Sequence, residues 1–137
     1  MPTPFSSSSG PDDPFAVLAD AARTGCALGI VVSTWTAGRE PPPHSMPSTD
    51  QAFVLLAGRC VLTIDGAAFP AGPEDLVFAP RGSRISARVV GKSCRVLCVV
   101  VPAGAETYLA TASALPGINP ATLLALAADH GVRLHPS

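Results

Sequence analysis

The sequence predicts an all-β domain, either a β-sandwich or a β-barrel, with short helices before and after the strands. Short apolar segments recur along the chain, separated by turn residues about every eight to twelve positions. The 15 prolines and 12 glycines favour many turns over long helices. The chain has 137 residues, of which 47% are hydrophobic, which is enough for one compact domain but not for two.

The N-terminal region is expected to contain a flexible tail and one short helix. Residues 1–12 are of low complexity, so we place the domain at residues 13–137. Asp13 and Pro14 form a typical helix start, and the apolar spacing of the following residues predicts a helix to about Arg23. Gly25 is expected to end it.

The barrel or sandwich is expected to span about residues 26–101. Asp65-Gly66 is a strong signal for a tight hairpin, because both positions tolerate a positive φ. Turns are also predicted at Gly58-Arg59 and at Gly91-Lys92. The strands predicted between these turns are 26–36, 51–56, 60–64, 75–79, 84–90 and 93–101.

The strand predicted at 51–56 is apolar on both faces apart from Gln51. Phe53 and Leu55 would lie on one face, and Ala52, Val54 and Leu56 on the other. A strand of this kind must be covered on both sides. The interior of the domain would cover one side, and a second sheet, a helix or a partner subunit would cover the other.

After Pro102 the pattern becomes helical, and this segment is expected to span about residues 103–131. One helix is predicted over 106–113. Asn119 and Pro120 resemble the N-cap and first position of a second helix, which Gly131 would end. Residues 132–137 are expected to form a short polar tail.

Composition excludes several classes of function. The formal net charge is -1, and Lys92 is the single lysine among nine scattered basic residues, so no basic face for nucleic acid is predicted. No secretory signal and no membrane-spanning run is visible, so we expect a cytoplasmic protein that binds no membrane. The four cysteines are interpreted as small, reduced core residues, with a metal pair or a reactive thiol at Cys94 and Cys98 as the alternative.

Two motifs resemble those of the cupin family. In that family the first motif has a histidine, a spacer, a second histidine, an acidic residue, six residues and a glycine. Here it reads His44-Ser45-Met46, four residues, Gln51, six residues and Gly58. The second motif, with a proline, a spacer, a glycine, two spacers and a histidine, reads Pro80 to Ile85. The resemblance covers about residues 28–101, and the helical tail is similar to that of bacterial quercetin-dioxygenase-like cupins. It implies a double-stranded β-helix, the jelly-roll barrel.

The same resemblance implies a site that has lost its metal. The family's four metal ligands fall on His44, Met46, Gln51 and Ile85, of which only His44 is a usual ligand. Iron, zinc, manganese and nickel prefer imidazoles and carboxylates. We therefore expect no metal and no other cofactor.

His44 and Gln51 are the candidate catalytic residues. An imidazole titrates near neutral pH and can move protons without a metal, and a carboxamide can orient a substrate. The candidate substrate-binding residues are Met46, Phe53, Leu55 and Ile85, which would line an apolar pocket, with Arg84 at its rim and Trp35 in the core or at the pocket edge.

These residues favour an enzyme that cyclises, isomerises or dehydrates a small, largely apolar intermediate of secondary metabolism, as some cupins do. The alternatives are a non-catalytic barrel that binds a ligand or partner, and a metal-dependent dioxygenase with unusual ligands. The resemblance also implies a homodimer, consistent with the doubly apolar strand 51–56.

Overall fold

A computed structural model describes residues 2–114 and 120–135, which form eight strands and three helices. In chain order these are β1 Phe15–Ala19, α1 Ala21–Thr24, β2 Gly29–Thr36, β3 His44–Ser45, β4 Asp50–Ile64, β5 Ala67–Ala71, β6 Leu76–Ala79, β7 Arg84–Val101, α2 Glu106–Ala114, α3 Pro120–Asp129 and β8 Arg133–Leu134.

The two longest strands, β4 and β7, pair antiparallel along their length and run through both halves of the molecule. In the first half the strand order is β1-β2-β7-β4-β6, with residues 93–101 of β7 and 50–57 of β4. In the second half the order is β5-β4-β7-β3-β8, with residues 59–64 of β4 and 84–90 of β7. This arrangement confirms the prediction of an all-β jelly-roll barrel.

The inward sides of both halves share one apolar core. The rings of Trp35 and Phe53 lie 6.1 Å apart in it, at the spacing and tilt that aromatic pairs prefer. Cys60, Cys94 and Cys98 are buried in the same core, as predicted for small core residues, whereas Cys26 is exposed.

The turns predicted at Gly58 and Gly91 are bends within continuous strands. Register shifts in β4 surround residues 55–59. Gly58 has a φ of +74°, and a Cβ there would lie 2.7 Å from the carbonyl oxygen of Ser93, so only glycine fits. The prediction of separate strands on either side was therefore wrong, because a bulge bends the strand without ending its pairing.

The N-terminal helix is shorter than predicted and starts later. Residues Phe15–Ala19 form strand β1, which pairs with β2, and only Ala21–Thr24 are helical. Asp20, not Asp13, caps the helix by accepting a hydrogen bond from the Arg23 amide. An apolar run of five residues suits either structure, and pairing with β2 decides in favour of a strand. Gly25 ends the helix, as predicted.

The Asp65-Gly66 hairpin is confirmed, with both residues at positive φ. Helix α2 matches its predicted range, and Gly131 follows α3 with a φ of +69°. The predicted N-cap Asn119 lies outside the described residues. The tail is not simply polar coil, because Arg133–Leu134 form β8 and pair with β3. Among the described helices none has the length and apolar character needed to cross a membrane.

Candidate functional site

The candidate site lies inside the barrel around His44. The three prolines before it favour an extended backbone, which leads into the short strand β3. There His44 is paired with Ile85 of β7 on one side and with Leu134 of β8 on the other. The side chain of His44 is almost fully buried, with 4% of its surface exposed.

The imidazole of His44 is held at both nitrogens. Nδ1 lies 3.2 Å from the carbonyl oxygen of Pro42, and Nε2 lies 3.1 Å from Oε1 of Gln51. Gln51 is on the first half of the barrel and is 2% exposed, so this bond joins the two halves across the interior. The structure therefore brings together the two residues that the sequence singled out as catalytic.

Burial lowers the pKa of His44 below its usual 6.5, because a charged ring would lose its hydration. The hydrogen bonds to Gln51 and Pro42 raise the pKa but do not cancel this effect, and the electrostatic influence of the nearby His135 lowers it further. At neutral pH the ring is therefore neutral and carries one proton.

The position of that proton follows from the partners of the ring. The Pro42 carbonyl can only accept, so the proton is on Nδ1, and Nε2 keeps its lone pair. The neutral ring then requires the Gln51 amide to turn its NH2 group toward Nε2, whereas an imidazolium would donate to Oε1. Rotation of the Gln51 amide by 180° therefore allows it to form a hydrogen bond with Nε2 of His44 in either protonation state.

A small cavity of about 20 Å³ lies beside His44, which is room for about one water molecule. Its polar lining residues are His44, Ser33 and Ser86, and Leu109 of α2 contributes to the wall. A pocket for a small organic ligand usually needs several hundred Å³. A ligand can therefore enter only if side chains, or α2 as a whole, move outward.

The predicted substrate-binding residues are distributed unequally around this cavity. Trp35, Phe53 and Ile85 line it. Met46 and Leu55 are fully buried in the core but are not among the lining residues. Arg84 is exposed and also lies outside the lining.

Tyr108 of α2 packs near His44, although it does not line the cavity, and it was not singled out as functional from the sequence. Its ring centre lies 6.3 Å from that of His44, and its side chain has no exposed surface. Its hydroxyl has no hydrogen-bond partner among the described residues, which is costly for a buried polar group. Burial raises the pKa of Tyr108 to about 12, so the hydroxyl stays protonated at neutral pH and can donate a hydrogen bond.

A glycine allows α2 to hold Tyr108 in this position. Any Cβ at Gly29 of β2 would collide with the carboxylate of Glu106, which is buried at the start of α2. That carboxylate accepts a hydrogen bond of 2.6 Å from the amide of Gly104. Close approach of α2 to β2 thus depends on the missing side chain at position 29. A single tyrosine in an apolar helix gave no sequence signal for an unpaired hydroxyl.

His135, to which the sequence assigned no chemistry, lies on the other side of β3. Its Nε2 is 2.8 Å from the hydroxyl of Ser45, and its amide donates to the carbonyl of Pro43. His135 therefore anchors β8 and the C-terminal segment to the strand that carries His44.

The donor set does not fit a cupin metal. His44 offers one imidazole and Gln51 one neutral carboxamide, whereas Met46 and Ile85 at the other two motif positions are buried and offer no usual ligand for iron, zinc or manganese. Asp50, next to Gln51, points outward and forms an ion pair with Arg81 at 3.1 Å. Within residues 2–114 and 120–135, no three His, Cys, Asp or Glu side chains are grouped so that they could hold a metal ion.

Fold and motif positions together define a cupin-type barrel, and comparison with known proteins agrees. The family model described as "Cupin domain" matches residues 31–100, about half of the chain. The chain belongs to the cupin family.

Solved structures support the same fold. A cupin protein from Bacteroides fragilis has a TM-score of 0.62 and 18% identity, covering 85% of this chain and 92% of its own. KdgF from Halomonas sp. has a TM-score of 0.58 and 19% identity, covering 64% of this chain and 76% of its own. The DMSP lyase DddQ from Ruegeria pomeroyi is 26% identical with a TM-score of 0.51, over 56% of this chain and 39% of that chain. The comparison with curated proteins found no match.

Proposed function

We propose that this chain is a metal-independent cupin that transfers a proton within a small, largely apolar molecule, in a cyclisation, isomerisation or dehydration. The observation that carries the proposal is the buried His44, neutral at neutral pH, with its Nδ1 proton held by Pro42. Its Nε2 lone pair is then the base. Gln51 is the exchangeable partner that a substrate would replace or share.

The Tyr108 hydroxyl supports the same proposal. An unpaired, protonated donor beside a buried base can stabilise negative charge that develops on a substrate oxygen when the base removes a proton. The apolar walls formed by Trp35, Phe53 and Ile85 favour an apolar substrate. Because the cavity is small, a substrate can enter only if lining side chains, such as Leu109 of α2, move outward.

The similarity to the DMSP lyase is consistent with lyase-type chemistry on this kind of barrel. The chain spans less than half of that protein, so the similarity supports the class of reaction only as part of the proposal.

A proton-transfer assay tests the proposal without knowledge of the natural substrate. The protein is incubated in deuterated water with cyclohexanone and acetophenone, and with 5-nitrobenzisoxazole, which opens when a base removes its ring proton. General-base catalysis contributes about 100-fold or more, so His44→Ala should reduce the catalysed rate by that order. The rate should rise with pH through the pKa of His44, which lies below 6.5. At higher pH it should stay constant, because His44 is then neutral.

His130→Ala is the matched control, because His130 is only half-buried and bonds to Leu126 on α3, away from the barrel interior. We expect it to leave the rate unchanged. Equal rates for wild type and His44→Ala, or no rate above buffer with any probe, would contradict the proposal.

A second candidate is a non-catalytic ligand-binding barrel, which the existing contact between His44 and Gln51 favours, because the imidazole already has a partner at Nε2. In that case the apolar probes should raise the melting temperature, whereas no reaction should depend on His44.

A further inference from the structure

A groove of about 790 Å³ lies on the outside of the barrel, and we call it the β8 groove. Its walls are the segment between β3 and β4, the loop that follows β7, helix α3 and strand β8. Small organic ligands occupy pockets of several hundred Å³. The β8 groove therefore has the volume for such a ligand, whereas the cavity beside His44 has room for about one water molecule.

The charged groups that line the β8 groove are of one sign. Its described lining contains one arginine, Arg133, and two histidines, but no aspartate or glutamate. The nearby carboxylate of Asp50 is already paired with Arg81. Glu106 is buried, and Asp129 lies outside the lining. Within the part of the chain that the structure describes, Arg133 forms no ion pair, so an anion in the groove would meet a cation without a competing partner.

The strand pairing places Arg133 on the groove side of β8. Arg133 lies opposite Ser45 of β3, and paired residues in adjacent strands direct their side chains to the same side of a sheet. His135 is on that side too, because its Nε2 lies 2.8 Å from the Ser45 hydroxyl oxygen. The side chain of Arg133 is exposed. A guanidinium presents a planar set of donors that can bind a carboxylate or a phosphate through two hydrogen bonds.

The rest of the lining suits an apolar body with a polar end. Leu124 of α3 is 58% exposed in the groove, and Pro47 and Pro102 are exposed there as well. Ser48 and Thr49 add two hydroxyl groups, which can donate hydrogen bonds to an oxygen of a ligand. The β8 groove thus combines apolar surface, hydroxyl donors and a guanidinium.

We propose that the β8 groove binds a small organic anion in which a carboxylate or a phosphate is attached to an apolar body. Arg133 binds the anionic group, and Leu124 with the two prolines contacts the apolar body. This site lies outside the barrel and is separate from the one at His44. It does not depend on the proposed proton transfer.

Titrations followed by ¹H–¹⁵N nuclear magnetic resonance test the proposal with three probes. These are 4-phenylbutyrate, 2-phenylethyl phosphate and the neutral 4-phenylbutanamide. We expect at least one anion to bind saturably and to shift the amide signals of residues 131–135. The neutral probe should bind about 10-fold more weakly or less, because hydrogen bonds to charged groups are the stronger ones. The anion that binds more tightly identifies the preferred head group.

Arg133→Gln should weaken binding of the better anion about 10-fold and leave binding of 4-phenylbutanamide unchanged. Lys92→Gln is the matched control, since it removes the same charge from an exposed residue of β7 outside the lining. It should leave the affinity unchanged, and circular dichroism should show the same fold for both variants.

Four results would overturn the proposal. The first is no saturable binding of either anion up to about 10 mM, and the second is equal affinity for the anions and the neutral probe. The third is an equal loss of affinity in Arg133→Gln and Lys92→Gln. The fourth is a set of shifted signals at the exposed apolar residues of β6 instead of at residues 131–135.

Discussion

The two halves of the barrel share one core but differ on their outer faces. In the first half the outward positions are occupied by residues such as Val54, Leu76 and Phe78. In the second half the corresponding positions of β4 and β7 are mixed, with Thr63 and Arg88 alongside the exposed Val90. The inward pattern is apolar in both, so the inner face determines the fold, while the outer face determines whether a sheet is solvated or covered.

The largest expected effect on stability is the difference between substitutions of two phenylalanines that lie on opposite faces of the first half. Phe53 is 2% exposed and packs against Trp35, and Phe78 lies on the neighbouring strand and faces outward. Phe53→Ala should lower the free energy of unfolding by about 3–5 kcal/mol, because it leaves a cavity. Phe78→Ala should cost the dilute monomer less than about 1 kcal/mol.

Urea unfolding followed by circular dichroism measures both values. Similar losses of stability for the two variants would contradict the distinction between an inner face that stabilises the fold and an outer face that does not.

A smaller effect is expected at Tyr108. Its unpaired hydroxyl is a cost to the folded state, so Tyr108→Phe should raise the free energy of unfolding by about 1 kcal/mol while leaving the packing of the ring intact. The same variant should slow the proton-transfer assay if the hydroxyl stabilises developing negative charge. A loss of stability of similar size would show that the hydroxyl is already paired in the folded protein, which would remove its proposed role.

The sequence predicted the barrel and the central pair of the site better than the edges of the structure. The spacing between His44 and Gln51 indicated one site, and the structure joins them at 3.1 Å. Strand β1 was mistaken for part of a helix, because a run of five apolar residues fits both the helical and the strand periodicity. Only its pairing with β2 identifies it as a strand. Strand β8 has only two residues, too few to give a sequence pattern, and it forms by pairing with the edge of β3.

Properties that depend on three-dimensional packing could not be predicted. The apolar side chains at the motif positions predicted an apolar pocket, but the packed barrel leaves a cavity of only about 20 Å³. The unpaired hydroxyl of Tyr108 lies on α2, which approaches β2 at Gly29 through a contact between residues far apart in the sequence. The apolar outward side of β4, by contrast, was visible as a strand apolar on both faces.

The central claim is that His44 is a neutral base with its proton on Nδ1. A pH titration of the histidine ring nitrogens by ¹⁵N nuclear magnetic resonance tests it most directly, with the signals assigned by the His44→Gln variant. We predict a pKa below 6.5 and, at neutral pH, a protonated Nδ1 and an unprotonated Nε2. A pKa above 6.5, or a proton on Nε2 at neutral pH, would contradict the claim and leave the site without its base.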